Sequence, residues 1–238
     1  MTKAIKILIL IMSLMTLPNA AFAQTVSTSS TANSIFINQV GDASDITITQ
    51  QGQGNGIGTE ETRFSIQGSN QVITTMQDGN NNTMDGKIEQ ADNINFNFTA
   101  TGDGNKWVFL VGDSASVAGS NSTVAVTGDS NQLTFNQGNV SSATGANQNI
   151  TISGDLNKYT STINADDVTN TIAATGSHNE ITVTQLGEAG KNVNMQLQGD
   201  TNKIIIDQKS TLNVDSLHLN TTGSNNNISV HQCDSGVC

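Results

Sequence analysis

The sequence predicts an all-β chain wound as a β-solenoid of about eight repeats, and three observations carry that prediction. A turn tetrad, Gly-polar-x-Asn, starts at Gly52, Gly79, Gly102, Gly128, Gly154, Gly176, Gly199 and Gly223, in steps of 22 to 27 residues. The clearest tetrads lead into strict alternation: Asn131, Leu133, Phe135 and Gln137; Asn179, Ile181, Val183 and Gln185; Asn202, Ile204, Ile206 and Gln208; Asn226, Ile228, Val230 and Gln232. Strand side chains alternate between faces, so each of these sets lies on one face. The single proline is Pro18, so every later backbone N–H is available to a strand ladder. Self-similarity at a fixed period of this size is the signature of repeat architectures.

Taken in order, the chain opens with Lys3 and Lys6, an apolar run from Ile7 to Leu17, and Ala21-Phe22-Ala23. A basic start, a short apolar core and an A-x-A site read as a Sec signal peptide over residues 1–23, cut before Gln24. Residues 24–32 are Ser/Thr-rich and read as a flexible leader. The repeat region spans 33–232. It begins with two further alternating sets, Asn33, Ile35, Ile37 and Gln39, then Ser44, Ile46, Ile48 and Gln50. A second, less regular strand lies between successive tetrads, as at Val124/Val126, Ile150/Ile152 and Leu217/Leu219. Gly52–Glu61 and Gly79–Gly86 dilute the alternation and read as loops. The spacing of Asn192 and Gln198 matches the pattern, but Val193, Met195 and Leu197 hold the opposite parity, so that match is discounted. Residues 233–238 form a tail with Cys233 and Cys238. An intrachain disulfide is the expectation for an exported protein, with an intermolecular link as the alternative.

Strands at this spacing also suit a sandwich of hairpins. Stacked coils are preferred because Asn and Gln occupy both ends of the inward face. A buried amide is costly unless its hydrogen bonds are made. Identical amides repeated every ~4.8 Å layer can satisfy one another. The expected ladder comprises Asn33, Gln39, Gln50, Asn131, Gln137, Asn179, Gln185, Asn202, Gln208, Asn226 and Gln232. Its inward apolar partners are Ile35, Ile37, Leu133, Phe135, Ile181, Val183, Ile204, Ile206, Ile228 and Val230. The turns are expected to take glycine, Asn or Asp at positive φ.

After signal removal the chain carries seven Lys+Arg against 20 Asp+Glu, a net charge of about −13 (7 − 20). Nucleic-acid binding needs basic residues and is therefore not expected. Nor is an enzyme, a cofactor or a metal site: His178, His218 and His231 sit at turn or outward positions with no nucleophile motif beside them. Asp103, Asp129, Asp155 and Asp200 recur at one turn phase. If stacked, they would form a column of like charges that Ca²⁺ could relieve, although the calcium-solenoid nonapeptide is absent.

Tandem 22–27-residue units with Asn-x5-Gln or Ser-x5-Gln strands and Gly-rich turns resemble curlin repeats, over about Asn33 to Gln232. These build the subunits of curli, bacterial functional amyloid fibres. The resemblance implies Sec export, passage through an outer-membrane secretion pore and extracellular self-assembly as a β-solenoid. It also implies a cell-surface fibre serving biofilm matrix and adhesion, with a related nucleator subunit as a further partner. The core here is richer in Ile, Phe and Leu than curlin, and the cysteine pair is foreign to it. The alternative is a monomeric secreted solenoid that binds a surface, as an adhesin, a phage-fibre-like protein or an ice-binding protein. Thr47/Thr49 and Thr182/Thr184 suggest the last, but Ile205/Asp207 and Ser229/His231 break the threonine rank.

Overall fold

The computed structural model describes residues 22–28, 35, 37–52, 55–58, 64–79, 81–89, 93–102, 105–113, 119–128, 130–137, 143–186, 190–210 and 215–234. All regular structure among them is β-strand, arranged in two sheets. The first sheet stacks β1 (Phe22–Thr28), β3 (Ser44–Gln51), β5 (Val72–Asp78), β7 (Asn95–Thr101), β9 (Asn121–Thr127), β12 (Asn147–Ser153), β14 (Val168–Thr175), β16 (Lys191–Gln198) and β18 (Ser216–Thr222). The second stacks β2 (Asn38–Val40), β4 (Phe64–Gln67), β6 (Thr83–Glu89), β8 (Lys106–Asp113), β10 (Gln132–Gln137), β13 (Asn157–Asp166), β15 (Asn179–Leu186), β17 (Lys203–Ser210) and β19 (Asn227–Asp234). A two-residue strand, β11 (Ala143–Thr144), pairs with β13.

Consecutive long strands alternate between the sheets, and every pairing within a sheet is parallel, so the chain is a β-solenoid with two strands per coil. Ile181 pairs with Ile204 and Ile204 with Ile228, as coil stacking requires and a hairpin sandwich forbids. The inward residues of both sheets form one continuous hydrophobic core. Its N-terminal half holds an aromatic block, in which the Phe96 and Phe109 rings stack with centroids 4.1 Å apart. Gly86 sits in register between Phe64 and Phe109, and a Cβ there would lie 2.6 Å from the Phe109 ring. The glycine that diluted the alternation therefore makes room for two rings.

Four expectations are corrected. The leader begins not as an irregular segment but with β1, which pairs with β3 from Phe22–Ser44 to Thr28–Gln50. The free N–H and C=O groups on that edge of β3 offer a parallel partner to any extended segment, whatever its apolar pattern. Residues 29–34, with Asn33, lie outside the described residues. Within the Gly52–Glu61 loop, Asn55 and Ile57 are buried and continue the repeat, since Ile57 N–H bonds Thr83 O. Gly79–Gly86 is not a loop throughout, because its last four residues open β6. Finally, Ile228 and Val230 have inward register but are 42% and 38% exposed, because among the described residues β19 is the edge strand of its sheet and no further strand packs on it.

The arcs explain the glycine period. Each tetrad glycine stacks on the one before, with the Gly176 N–H bonded to Gln198 O and the Gly199 N–H to Thr222 O. An added Cβ on Gly176 would lie 1.7 Å from Gly154 O, and on Gly199 1.6 Å from Gly176 O. Glycine is thus demanded by close approach as well as by φ of +154° and +148°. Two positions later the left-handed conformation is taken by Ser130, Leu156 and Thr201, each at φ 60°, and not only by Gly, Asn or Asp.

Two outcomes follow for urea unfolding of the soluble chain. Gly199→Ala should lower stability by well over ~1 kcal/mol, because a methyl group there collides with fixed backbone. Leu156→Asn should raise it by about 0.5–1 kcal/mol, since Leu156 is exposed and Asn tolerates the left-handed region.

Candidate functional site: the asparagine ladder and the open end

Each tetrad asparagine lies three residues beyond its arc glycine, at the entrance to a second-sheet strand. The arc turns its amide inward, where Nδ2 donates to the carbonyl of that same glycine. This bond joins Asn105 to Gly102 (2.6 Å), Asn179 to Gly176 (2.9 Å), Asn202 to Gly199 (2.6 Å), and likewise Asn131 to Gly128 and Asn157 to Gly154. The second amide hydrogen goes to the next layer. Asn105 donates to Asn131 Oδ1 at 2.9 Å, Asn131 to Asn157 at 2.8 Å, Asn157 to Asn179 at 3.0 Å, Asn179 to Asn202 at 2.9 Å and Asn202 to Asn226 at 2.9 Å. The ladder therefore has a sense, with every N–H directed toward the C-terminal end. Asn226 donates to Gly223 O at 3.1 Å and accepts from Asn202, and among the described residues no layer lies beyond it.

Sequence reasoning placed Asn131, Asn179, Asn202 and Asn226 in this column and missed Asn105 and Asn157. The tetrads Gly102-Asp-Gly-Asn105 and Gly154-Asp-Leu-Asn157 carry the signal, which was passed over by also requiring a terminal Gln. Asn55 and Asn82 are buried at the same turn phase, and Asn82 keeps the arc bond to Gly79 O (3.1 Å), but across layers they bond backbone and not an asparagine, Asn55 to Asp78 O (3.4 Å) and Asn82 to Thr101 O (2.9 Å).

The glutamines do not form the expected continuous column. Gln185 donates to Gln208 at 3.1 Å in the predicted way. Gln137, however, is met by Gln148 of the opposite sheet at 2.8 Å, because Ile163 occupies the next layer of its own column. Gln39 donates to Ser44 at 3.3 Å, with Ile66 beside it in register. Gln50 belongs to the first sheet and accepts from Gln77 at 2.8 Å. Gln232 is exposed on β19, in register with Gln208.

The acidic turns are corrected too. Asp103 and Asp129 lie outside the described residues. Asp155 and Asp200 are not adjacent layers, since Ser177 intervenes. Asp155 Oδ1 instead accepts the Ser177 N–H at 2.8 Å and its hydroxyl at 2.9 Å, and Asp200 accepts the Ser224 N–H at 3.1 Å. The Ser177 bonds hold the Asp155 carboxyl below its ordinary pKa. A groove of about 380 Å³ runs beside these arcs, walled by the glycines, Thr175, Gln198 and Thr222. Among the described residues no three His, Cys, Asp or Glu side chains converge to hold a metal. Lys191, which no sequence signal marked, is fully buried with its Nζ 3.9 Å from Asp215. Cys233 is disulfide-bonded, and Cys238 lies outside the described residues.

The fold and ladder define a β-solenoid with a column of stacked asparagines running from Asn105 to Asn226. No family model matches the chain, and no curated protein or solved structure matches it.

Asn179→Ala should cost about 2–4 kcal/mol in urea unfolding, because it leaves a buried donor on Asn157 and a buried acceptor on Asn202. The outward Asn192→Ala serves as control. For Asp155, a lowered folded pKa means its contribution is present above the unfolded value and lost as pH falls through the folded one. Ser177→Ala removes the hydroxyl bond but keeps the N–H bond, the larger cause, so the Asp155 titration, followed by carboxyl NMR, should rise only part of the way toward the ordinary carboxylate range and the acid limb of stability should flatten slightly.

Proposed function

We propose that the chain is the secreted subunit of an extracellular, curli-like fibre that grows by head-to-tail stacking of solenoids for matrix and adhesion. One observation carries the reading: among the described residues, the C-terminal coil is a regular layer with its inward face uncovered. Ile228 and Val230 are exposed, Leu217 and Leu219 are only partly buried against the core, and the asparagine ladder stops with its donor side outward. Parallel strand edges on β18 and β19 border this surface, and exposed edges of this kind add further strands. The N-terminal repeat reads as its complement. Asn33, Ile35, Ile37 and Gln39 match Asn226, Ile228, Val230 and Gln232 position for position. Stacking one end on the other is heterologous and does not close, which yields filaments rather than a dimer. Export would deliver subunits past the cell envelope before they assemble, and the net negative charge would oppose premature association.

Electron microscopy and amyloid-dye binding of the chain from Gln24 onward test this against the monomeric surface binder, with filaments as the expected result. Asn226→Ala with Gln232→Ala should lengthen the lag and slow elongation. The pair Ser229→Ala with His231→Ala, outward on the same strand, should not. Equal rates for the two variants would rule out the amide-bearing end as template.

A further inference from the structure

The two outer faces of the solenoid differ in a way that the repeat pattern hides. On the second sheet charged residues recur among the outward positions: Asp85, Lys87 and Glu89 on β6, Lys106, Lys158, Glu180, then Lys203, Asp207 and Lys209 on β17. These charges pair across layers, as when Glu180 takes Lys203 at 3.0 Å and Lys158 at 3.5 Å, and Asp207 meets His231 at 2.9 Å. On the first sheet, the six consecutive strands β7, β9, β12, β14, β16 and β18 carry one charged residue, Lys191, and it points inward. Their outward positions are Thr, Asn, Ser, Gln and Ala, with His218 the exception. Strict register lines them in ranks, such as Asn97–Thr123–Asn149–Thr171–Asn194, and Asn147 donates to Asn121 at 3.1 Å along one rank. Thr47/Thr49 and Thr182/Thr184 are on opposite faces, and the residues that seemed to break the threonine rank are all on the second.

Asp45 on β3 and Asp78 on β5 mark where outward charge ends on this sheet, and six successive strands without any, in a chain this acidic, suit a contact that charge would harm. We infer that this uncharged six-strand stretch of the first sheet packs against the same stretch of a second copy, so that fibres associate side by side. The occupant is a copy of this chain for two reasons. Two uncharged, self-similar faces meet without desolvating fixed charges or matching their signs, as the mixed Lys and Asp/Glu pairs of the second sheet would require. Short Thr, Asn and Ala side chains on in-register strands also interdigitate as sheets do in steric zippers. The area sets when this happens. Six strands spaced by ~4.8 Å, seven or eight residues long at ~3.3 Å per residue, offer roughly 700 Å² per subunit. The pair buries about 1,400 Å², near the lower bound of specific interfaces, and lacks aromatic anchors. Single subunits would therefore pair weakly, while filaments, repeating the contact along their length, would hold by avidity. The inference rests on the fibre reading and adds a second, lateral contact to it.

The test compares wild-type protein with Thr123→Lys plus Thr171→Lys on the first sheet, and with Thr134→Lys plus Thr182→Lys on the second. Both variants lose the same net negative charge, so general screening would increase bundling equally in each. Dye kinetics report elongation, while electron microscopy and light scattering report bundle width. The expected result is wild-type elongation in all three, with bundles in the wild type and the second-sheet variant and only single filaments from the first-sheet variant. Bundles of wild-type width in the first-sheet variant, or loss of bundling in both variants, overturn the inference while leaving the fibre reading intact. Wild-type filaments that stay single also overturn it, and pelleting with insoluble cellulose lost only in the first-sheet variant would then assign the face to carbohydrate. Absence of filaments from wild-type protein overturns the fibre reading and this inference with it.

Discussion

Close stacking of the arc glycines is the contact on which the other features depend. With only hydrogen on each tetrad Cα, the carbonyl of one arc lies where the next residue's side chain would be, as at Gly176 over Gly154. That approach lets the arc N–H groups bond the layer above, for example Gly154 N–H to Thr175 O. It also sets consecutive asparagines 2.8–3.0 Å apart in the ladder from Asn131 to Asn226. A bulkier arc would separate the layers and strand each amide in a region where no water can replace its partner. The glycine column, the ladder and the parallel register are thus one constraint seen in three places.

Within that frame the interior is varied, and the variation fixes the order of coils. The aromatic block around Phe96 and Phe109 gives way to a polar knot, where Gln148 bonds Gln137 at 2.8 Å and accepts from Tyr159 Oη at 3.4 Å and Ser161 at 3.3 Å. Burial pushes the Tyr159 hydroxyl above its ordinary pKa, so it remains a neutral donor. Slipping one coil past another would set rings beside amides, a mismatch that identical repeats would not feel. The terminal coils have no such individuality. Asn-x-Ile-x-Ile-x-Gln and Asn-x-Ile-x-Val-x-Gln at the two ends are nearly interchangeable, which suits a junction that must form between molecules.

The solenoid, its period and its parallel stacking were legible because glycine spacing and parity are local properties of the chain. The same holds for Asn131, Asn179, Asn202 and Asn226, and for the Ile181–Ile204 stack. Less regular layers were misread where the pattern was broken for a tertiary reason. Gly86 replaces an apolar residue because rings from neighbouring layers fill its space, and Asn105 and Asn157 sit in strands that end without Gln. The β1 segment has no alternation to announce it, since pairing along a sheet edge needs only backbone.

What the sequence by itself determined is the repeat: which residues turn, which point inward, and where amides recur. Those follow from steric freedom at glycine and the two-residue period of a strand. Which residues become neighbours was decided only by the coiled structure. It separated Asp155 from Asp200 by a serine layer, matched Gln137 with an amide from the opposite sheet, and gathered outward Lys and Glu on one sheet while leaving six successive strands of the other without outward charge. Those pairings depend on the offset between coils, which varies with each insertion, and a one-dimensional pattern does not record which layer a residue will reach.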